Sequence, residues 1–183
     1  MNRMKLALVT AALLLALAAV SPQTVPNGEE PATTILLVRH AEKLADSGDP
    51  PLSGEGLARA AALARTLTDV GVTGLSATPY RRTQETLRPL AEMTGLTIEV
   101  RPVDMSSPQA YADALVAGLL EDYAGGTVVV AGHSNTVPLI LAALGIAGPR
   151  SIGDDEYDDL FLVRVAPGKT ASLLHLHYGE PSP

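Results

Sequence analysis

Ile35-Leu36-Leu37-Val38-Arg39-His40-Ala41-Glu42-Lys43 is the stretch whose reading decides the fold. Four consecutive branched apolar residues describe a strand buried on both faces, because a half-solvated strand would alternate with polar residues. Arg39, His40, Glu42 and Lys43 follow at once, so ionisable groups stand where a core strand ends. In an open α/β sheet, ligands bind in the crevice beyond the carboxyl ends of the strands. A strand that simply meets solvent could end in similar residues, so Arg39-His40 needs support from the rest of the chain.

Working outward, the turn formers Asp46 to Pro51 lead into Leu52-Ser53-Gly54-Glu55-Gly56. Ser53 is a good N-cap, and Leu57, Ala60, Ala61, Ala64 and Leu67 recur at helical spacing until Gly71. Val72 to Ala77 predicts a second strand. Thr78-Pro79 then supplies an N-cap and a first-position proline for a helix over Tyr80 to Met93. Arg81 and Arg82 fall in its first turn, where the macrodipole disfavours each cation by about 0.3–1 kcal/mol. Such a local conflict points to use, although two solvated arginines balanced by Glu85 would show the same pattern. Leu96 to Val100 predicts a third strand, Arg101 to Ser106 a loop, and Ser107-Pro108 the start of a helix running to Gly125-Gly126.

Thr127 to Ala131 is the second strongly buried strand, ending in Gly132-His133-Ser134-Asn135. Ser134 or Asn135 is placed to cap a helix over Val137 to Leu144. Leu160 to Val165 and Ala171 to His177 predict a closing hairpin. Strands alternating with helices imply a three-layer α/β/α sandwich with a mostly parallel central sheet, one domain over residues 33–178.

The 183 residues include no cysteine, which excludes disulfides and thiolate metal sites. Arg3 and Lys5 precede the apolar run Leu6 to Val20, which is shorter than the roughly 20 residues that span a bilayer. With Ala16-Leu17-Ala18 as a small-x-small cleavage pattern, residues 1–18 read as a signal peptide and residues 19–32 as a flexible leader. An uncleaved anchor is the competing reading. Cleavage predicts an exported protein, periplasmic or extracellular, with no stable membrane insertion.

The formal net charge is −7, and removal of Arg3 and Lys5 makes it more negative. That balance opposes general affinity for nucleic acid. Asp154 to Asp159 lacks the glycine and ligand spacing of a calcium loop, so it reads as solvated. His175 and His177 share one strand face. The sequence identifies no further ligands for them, so they read as an exposed face, and no metal or cofactor is expected.

Three strand-to-helix junctions thus carry Arg39 with His40, Arg82 with Arg81 beside it, and His133. A parallel sheet brings such junctions to one edge. Two arginines and two histidines converging there describe a pocket for a dianion, since guanidinium forks match phosphate oxygens. A neutral imidazole among those cations is a competent nucleophile.

In these motifs the chain resembles the histidine phosphatase superfamily, also called phosphoglycerate mutase-like, and in particular its small secreted single-domain phosphatases. Leu37 to Lys43 is similar to the first motif, with its Arg-His pair, and Leu52 to Gly56 to the start of the next helix. Thr78 to Thr86 is similar to the motif whose spacing selects Arg82 over Arg81. Val130 to Asn135 is similar to the motif carrying the second histidine. The resemblance implies that His40 attacks phosphorus and becomes a phosphohistidine that water hydrolyses. Arg39, Arg82 and His133 would hold the phosphoryl oxygens, with Ser53 and Glu42 as candidates at the substrate edge. Asp104 ranks first as proton donor.

The expected activity is that of a secreted phosphomonoesterase of the histidine acid phosphatase type, acting on a small phosphorylated substrate, with a phosphoprotein still open. A catalytically weak phosphate-ligand binder or envelope interaction protein is the alternative, and a phosphoglycerate mutase fits less well. With six aromatic residues, five tyrosines and one phenylalanine, no stacking platform for a sugar or base announces itself.

Overall fold

The computed structural model describes residues 31–44 and 48–182. The expected signal peptide, and all of the leader except Pro31 and Ala32, lie outside the described residues. No helix among those described is long and apolar enough to cross a membrane.

Ten elements follow in order: β1 (Thr33–Arg39), α1 (Gly54–Leu67), β2 (Gly74–Ala77), α2 (Arg81–Thr94), β3 (Ile98–Val100), α3 (Pro108–Asp122), β4 (Thr127–Gly132), α4 (Val137–Ala143), β5 (Asp159–Val165) and β6 (Ser172–His177). They build one six-stranded sheet in the order β3-β2-β4-β1-β5-β6. The four strands β3, β2, β4 and β1 run parallel, and the β5–β6 hairpin adds antiparallel to β1. The three-layer α/β/α sandwich expected from the sequence is the architecture observed.

β1 explains why there are two cores. Its side chains alternate, so Ile35 and Leu37 pack with α3 and α4 on one face, among them Leu119, Ile140 and Leu141. Leu36 and Val38 pack with α1 and α2 on the other, against Leu63, Leu87 and Leu90. All four strand residues are almost fully buried. Each such burial contributes about 1.5–3 kcal/mol, so a polar residue at any of them would disrupt a whole layer.

Close approach of α1 to the loop after β1 depends on Gly56. A Cβ there would lie 2.1 Å from the Glu42 carbonyl oxygen. Ser53 caps this helix as its sequence predicts, its Oγ accepting from the Gly56 amide at 3.1 Å. Gly132 plays a related part at the end of β4, where a Cβ would come within 2.9 Å of Thr136 Oγ1 and 3.1 Å of Val137 Cγ2. The absence of a side chain there lets the chain turn tightly from strand into α4.

Two helix starts differ from expectation. The N-cap of α2 is Tyr80, not Thr78, because the Thr78 hydroxyl is committed to Thr83 and His133. The N-cap of α4 is Thr136, not Ser134 or Asn135, and its hydroxyl accepts instead from the His133 amide at 2.9 Å. Both departures spend a capping side chain on holding a histidine.

Candidate active site

The parallel register brings the ends of β1 and β4 side by side, with Arg39 opposite Gly132. The ladder continues one step further, as the His40 amide donates to the Gly132 carbonyl at 2.9 Å. His40 and His133 therefore emerge as neighbours, their rings edge to face with centroids 5.3 Å apart. β2 on the far side of β4 leads into α2, whose first turn delivers Arg82. Arg39, His40, Arg82 and His133 all line one cleft of about 800 Å³.

His40 Nδ1 lies 2.8 Å from the Ala41 carbonyl. A carbonyl can only accept, so Nδ1 carries the proton and the lone pair is left on Nε2; the tautomer follows from the network. Burial first, then His133, Arg39 and Arg82, lower the His40 pKa to about 3, against a smaller opposing effect of the Ala41 hydrogen bond. The ring is therefore neutral over the physiological range.

His133 is neutral as well, its pKa lowered to about 4 by burial and then by Arg82 and Arg39. Arg82 Nη2 is 3.4 Å from His133 Nδ1, and Thr78 Oγ1 is 3.0 Å from Nε2. A guanidinium only donates, so Nδ1 accepts and Nε2–H donates to Thr78. Thr78 in turn meets Thr83 Oγ1 at 2.8 Å, and Thr83 donates to main-chain carbonyls of Thr78 and Tyr80. This chain of hydroxyls fixes the His133 ring from behind.

Both arginines are positioned rather than mobile. Arg39 Nη1 donates to the carbonyls of Gly153, Asp154 and Glu156 at 2.6, 2.8 and 3.0 Å, and its guanidinium lies 4.1 Å from the Tyr157 ring centroid. Burial holds its pKa below the ordinary arginine value despite Tyr157 and nearby carboxylates. Arg82 stacks over Tyr80 at 4.4 Å and reaches Asp49 at 3.7 Å. The Nε atoms of Arg39 and Arg82 are buried without a protein partner, which leaves donor capacity beside the cleft that an oxyanion would use.

The comparisons with known proteins agree with this geometry. A model of the histidine phosphatase superfamily (branch 1) matches residues 35–103. A search of curated proteins gave no significant match. Among solved structures, a mycobacterial glucosyl-3-phosphoglycerate phosphatase superposes with a TM-score of 0.58 at 18% identity, over 73% of this chain and 90% of that one. A phosphoserine phosphatase from Entamoeba histolytica, in complex with 3-phosphoglyceric acid, gives 0.60 at 14% identity, over 81% and 97%. A structure described as mycobacterial hydrolase 1 gives 0.59 at 16% identity, over 81% and 99%. Residues 35–103 thus match the histidine phosphatase superfamily model, and the solved structures share the fold.

Against that superfamily pattern, the structure separates the remaining sequence candidates. Arg81 does not enter the cleft: its Nε pairs with Glu85 at 2.7 Å and its side chain is exposed. Glu42 is not among the lining residues; Arg59 binds its Oε1 through Nε at 2.8 Å and Nη2 at 2.7 Å. Ser53 is occupied as the α1 cap and likewise lies outside the lining.

Asp104 also turns away. Met105 lines the cleft that holds His40, Val103 borders both that cleft and a second one against α3, and Asp104 lines only the second. Its carboxylate accepts from the Ser106 hydroxyl and amide, which hold its pKa below the usual carboxylate value. An acid catalyst needs the opposite shift.

Several contributors escape a sequence reading. The acidic residues that do line the cleft are Asp154 and Asp155, from the stretch expected to be merely solvated. Two of the five tyrosines, Tyr80 and Tyr157, form aromatic walls beside the arginines. Asp49 removes the electrostatic conflict at α2, because its carboxylate accepts from the Arg81 amide at 2.9 and 3.1 Å. Negative charge at that helix start thus comes from 32 residues upstream. Thr86 ties the loop after β1 to α2, its hydroxyl accepting from the Ala41 amide at 2.9 Å and donating to the Arg82 carbonyl at 2.8 Å.

Proposed function

We propose that the protein is a phosphomonoesterase that hydrolyses small phosphate esters through a phosphohistidine on His40. The observation that carries this reading is the neutral His40 ring, its Nδ1 proton bound to the Ala41 carbonyl, set in one cleft with Arg39, Arg82 and His133. The phosphatases among its structural neighbours support the same chemistry.

His40 Nε2 attacks phosphorus as the ester oxygen leaves, so the P–O bond breaks while the N–P bond forms. Positive charge then grows on the imidazole, and the Nδ1–H bond to the Ala41 carbonyl strengthens to meet it. Arg39 and Arg82 stabilise the equatorial oxygens. The leaving oxygen takes its proton from an acid, for which Asp154 or Asp155 replaces Asp104, since those two carboxylates line the cleft. In the second step water attacks phosphorus as the N–P bond breaks, giving its proton to the carboxylate left by the first step, which restores the acid, returns neutral His40 and releases phosphate.

The signal-like composition of residues 1–18 supports export, so the working substrate is one met outside the cytoplasm. N-terminal sequencing of the mature protein would test that part. The activity itself is tested by incubating purified protein with a panel of phosphomonoesters across pH and measuring released phosphate. Turnover by wild type and none by His40→Ala is expected; equal release by both would refute the assignment.

A further inference from the structure

A second cluster of chemically active groups lies on the β5–β6 hairpin, outside the phosphate cleft. The register sets Asp159 opposite His177 and Phe161 opposite His175. Residues two apart share a strand face, so Asp159, His175 and His177 converge on one side. One ligand atom from each lies within 4.8 Å of the others. Individually, Asp159 Oδ1 is 2.6 Å from His175 Nε2 and 3.7 Å from His177 Nδ1. Asp158 Oδ2 adds a contact of 3.3 Å to His177 Nδ1.

Two features show more than a chance surface grouping. The Asp159 side chain is only 2% exposed, and its Oδ2 is buried without a hydrogen-bond partner; Arg150 Nη2 stands 3.7 Å away, beyond hydrogen-bond reach. A buried carboxylate oxygen without a partner is costly unless a cation satisfies it. The two imidazoles are partly open, with 29% and 60% of their side chains exposed, which gives an ion a route in. His175 is moreover held in place by stacking on Phe161, with ring centroids 4.6 Å apart and planes 18° from parallel.

We propose that Asp159, His175 and His177 bind a divalent transition metal of the zinc class, with Asp158 or water as the fourth ligand. Two imidazole nitrogens and a carboxylate are a donor set for such borderline ions, whereas magnesium and calcium favour oxygen ligands throughout. Tetrahedral bonds of about 2.0–2.1 Å place ligand atoms roughly 3.3 Å apart. The separations in the hairpin bracket that value, so binding needs small side-chain adjustments and no change of fold.

The site adjoins the phosphate cleft through one segment. Arg150, beside Asp159, also pairs with Glu156, whose carbonyl accepts from Arg39. An ion on Asp159 therefore sits at the base of the loop that carries the Arg39 partners. The proposal does not depend on the hydrolytic chemistry, and its test reads the metal directly.

Cobalt(II) serves as the probe, titrated into metal-free full-length protein while the visible ligand-field bands are recorded. His40 and His133 are another imidazole pair, so His40→Ala is titrated in parallel. One cobalt per chain is expected in wild type and in His40→Ala, displaced by zinc. His177→Ala, at an exposed position that leaves the core intact, should weaken binding by roughly tenfold or more through loss of a ligand. Circular dichroism verifies that this variant is folded, and zinc should raise the melting temperature of wild type but not of the variant. Absence of the bands in wild type, their loss in His40→Ala, or equal affinity in folded His177→Ala would overturn the assignment.

Discussion

Lowering the pH should destabilise this protein well before its carboxylates titrate, because two neutral histidines are buried in the cleft. The folded-state pKa values of His40 and His133 are about 3 and about 4, against an ordinary value of 6.5. An imidazole with a lowered folded pKa takes up its proton in the unfolded chain first. Stability is therefore full above about pH 6.5, falls as pH drops through that value, and levels off only near the folded values. Between pH 8 and pH 5 the linkage relation gives a loss of about 2 kcal/mol for each ring, or about 4 kcal/mol for the pair.

Glu85 and Asp158, held low in the fold by their hydrogen bonds and neighbouring charges despite burial, lose their contribution only around pH 4 and below. They hardly enter this window. Urea denaturation of wild type and His133→Asn at pH 8, 6 and 5 measures the effect, since every other group is common to both. The variant should lose about 2 kcal/mol less than wild type over that range. Parallel stability curves would refute the claim that His133 is buried in its neutral form, and the same comparison with His40→Asn tests the nucleophile.

Further consequences follow from the side chains around the cleft. Arg82→Ala should lower kcat/KM for a phosphomonoester by about 10²–10³-fold, while Arg81→Ala, removing an exposed partner of Glu85, should cost only a few-fold in steady-state assays. Asp104→Asn should leave kcat within about twofold, whereas replacing Asp154 and Asp155 together by asparagine should lower it by about 10²-fold or more, an effect largest for esters with poor leaving groups. Gly56→Ala should destabilise the fold by at least about 1–3 kcal/mol, read as a lower urea midpoint, because its Cβ would strike a backbone oxygen rather than a movable side chain.

Much of the fold was legible because its signals are local. Ile35 to Val38 and Thr127 to Ala131 could only be doubly buried strands, and the helices between strands forced parallel pairing. The convergence of Arg39, His40, Arg82 and His133 on one cleft was legible for a related reason: each sits at a strand-to-helix junction, and topology brings those junctions together. Glu42 and Ser53 are engaged in bonds that their types alone do not reveal; one holds Arg59 and the other caps α1. Asp104 lines the neighbouring cavity against α3, where Ser106 holds its carboxylate, and a loop has no period from which that direction could be read. The contributions of Asp49, Asp154, Asp155 and Tyr157 depend on loops folding back over the sheet edge, and no periodicity encodes that. The Asp159 cluster required the β5–β6 register, which determines that an aspartate at one strand's start meets two histidines near the other's end.

The central claim is that His40 carries the phosphoryl group between two chemical steps. Rapid acid-free quenching of wild type during turnover of a ³²P-labelled phosphomonoester, followed by peptide mapping, tests it directly. The account predicts acid-labile, alkali-stable label on the peptide containing His40, and none in folded His40→Ala. Turnover by wild type with no trapped label, or label retained in His40→Ala, would contradict it.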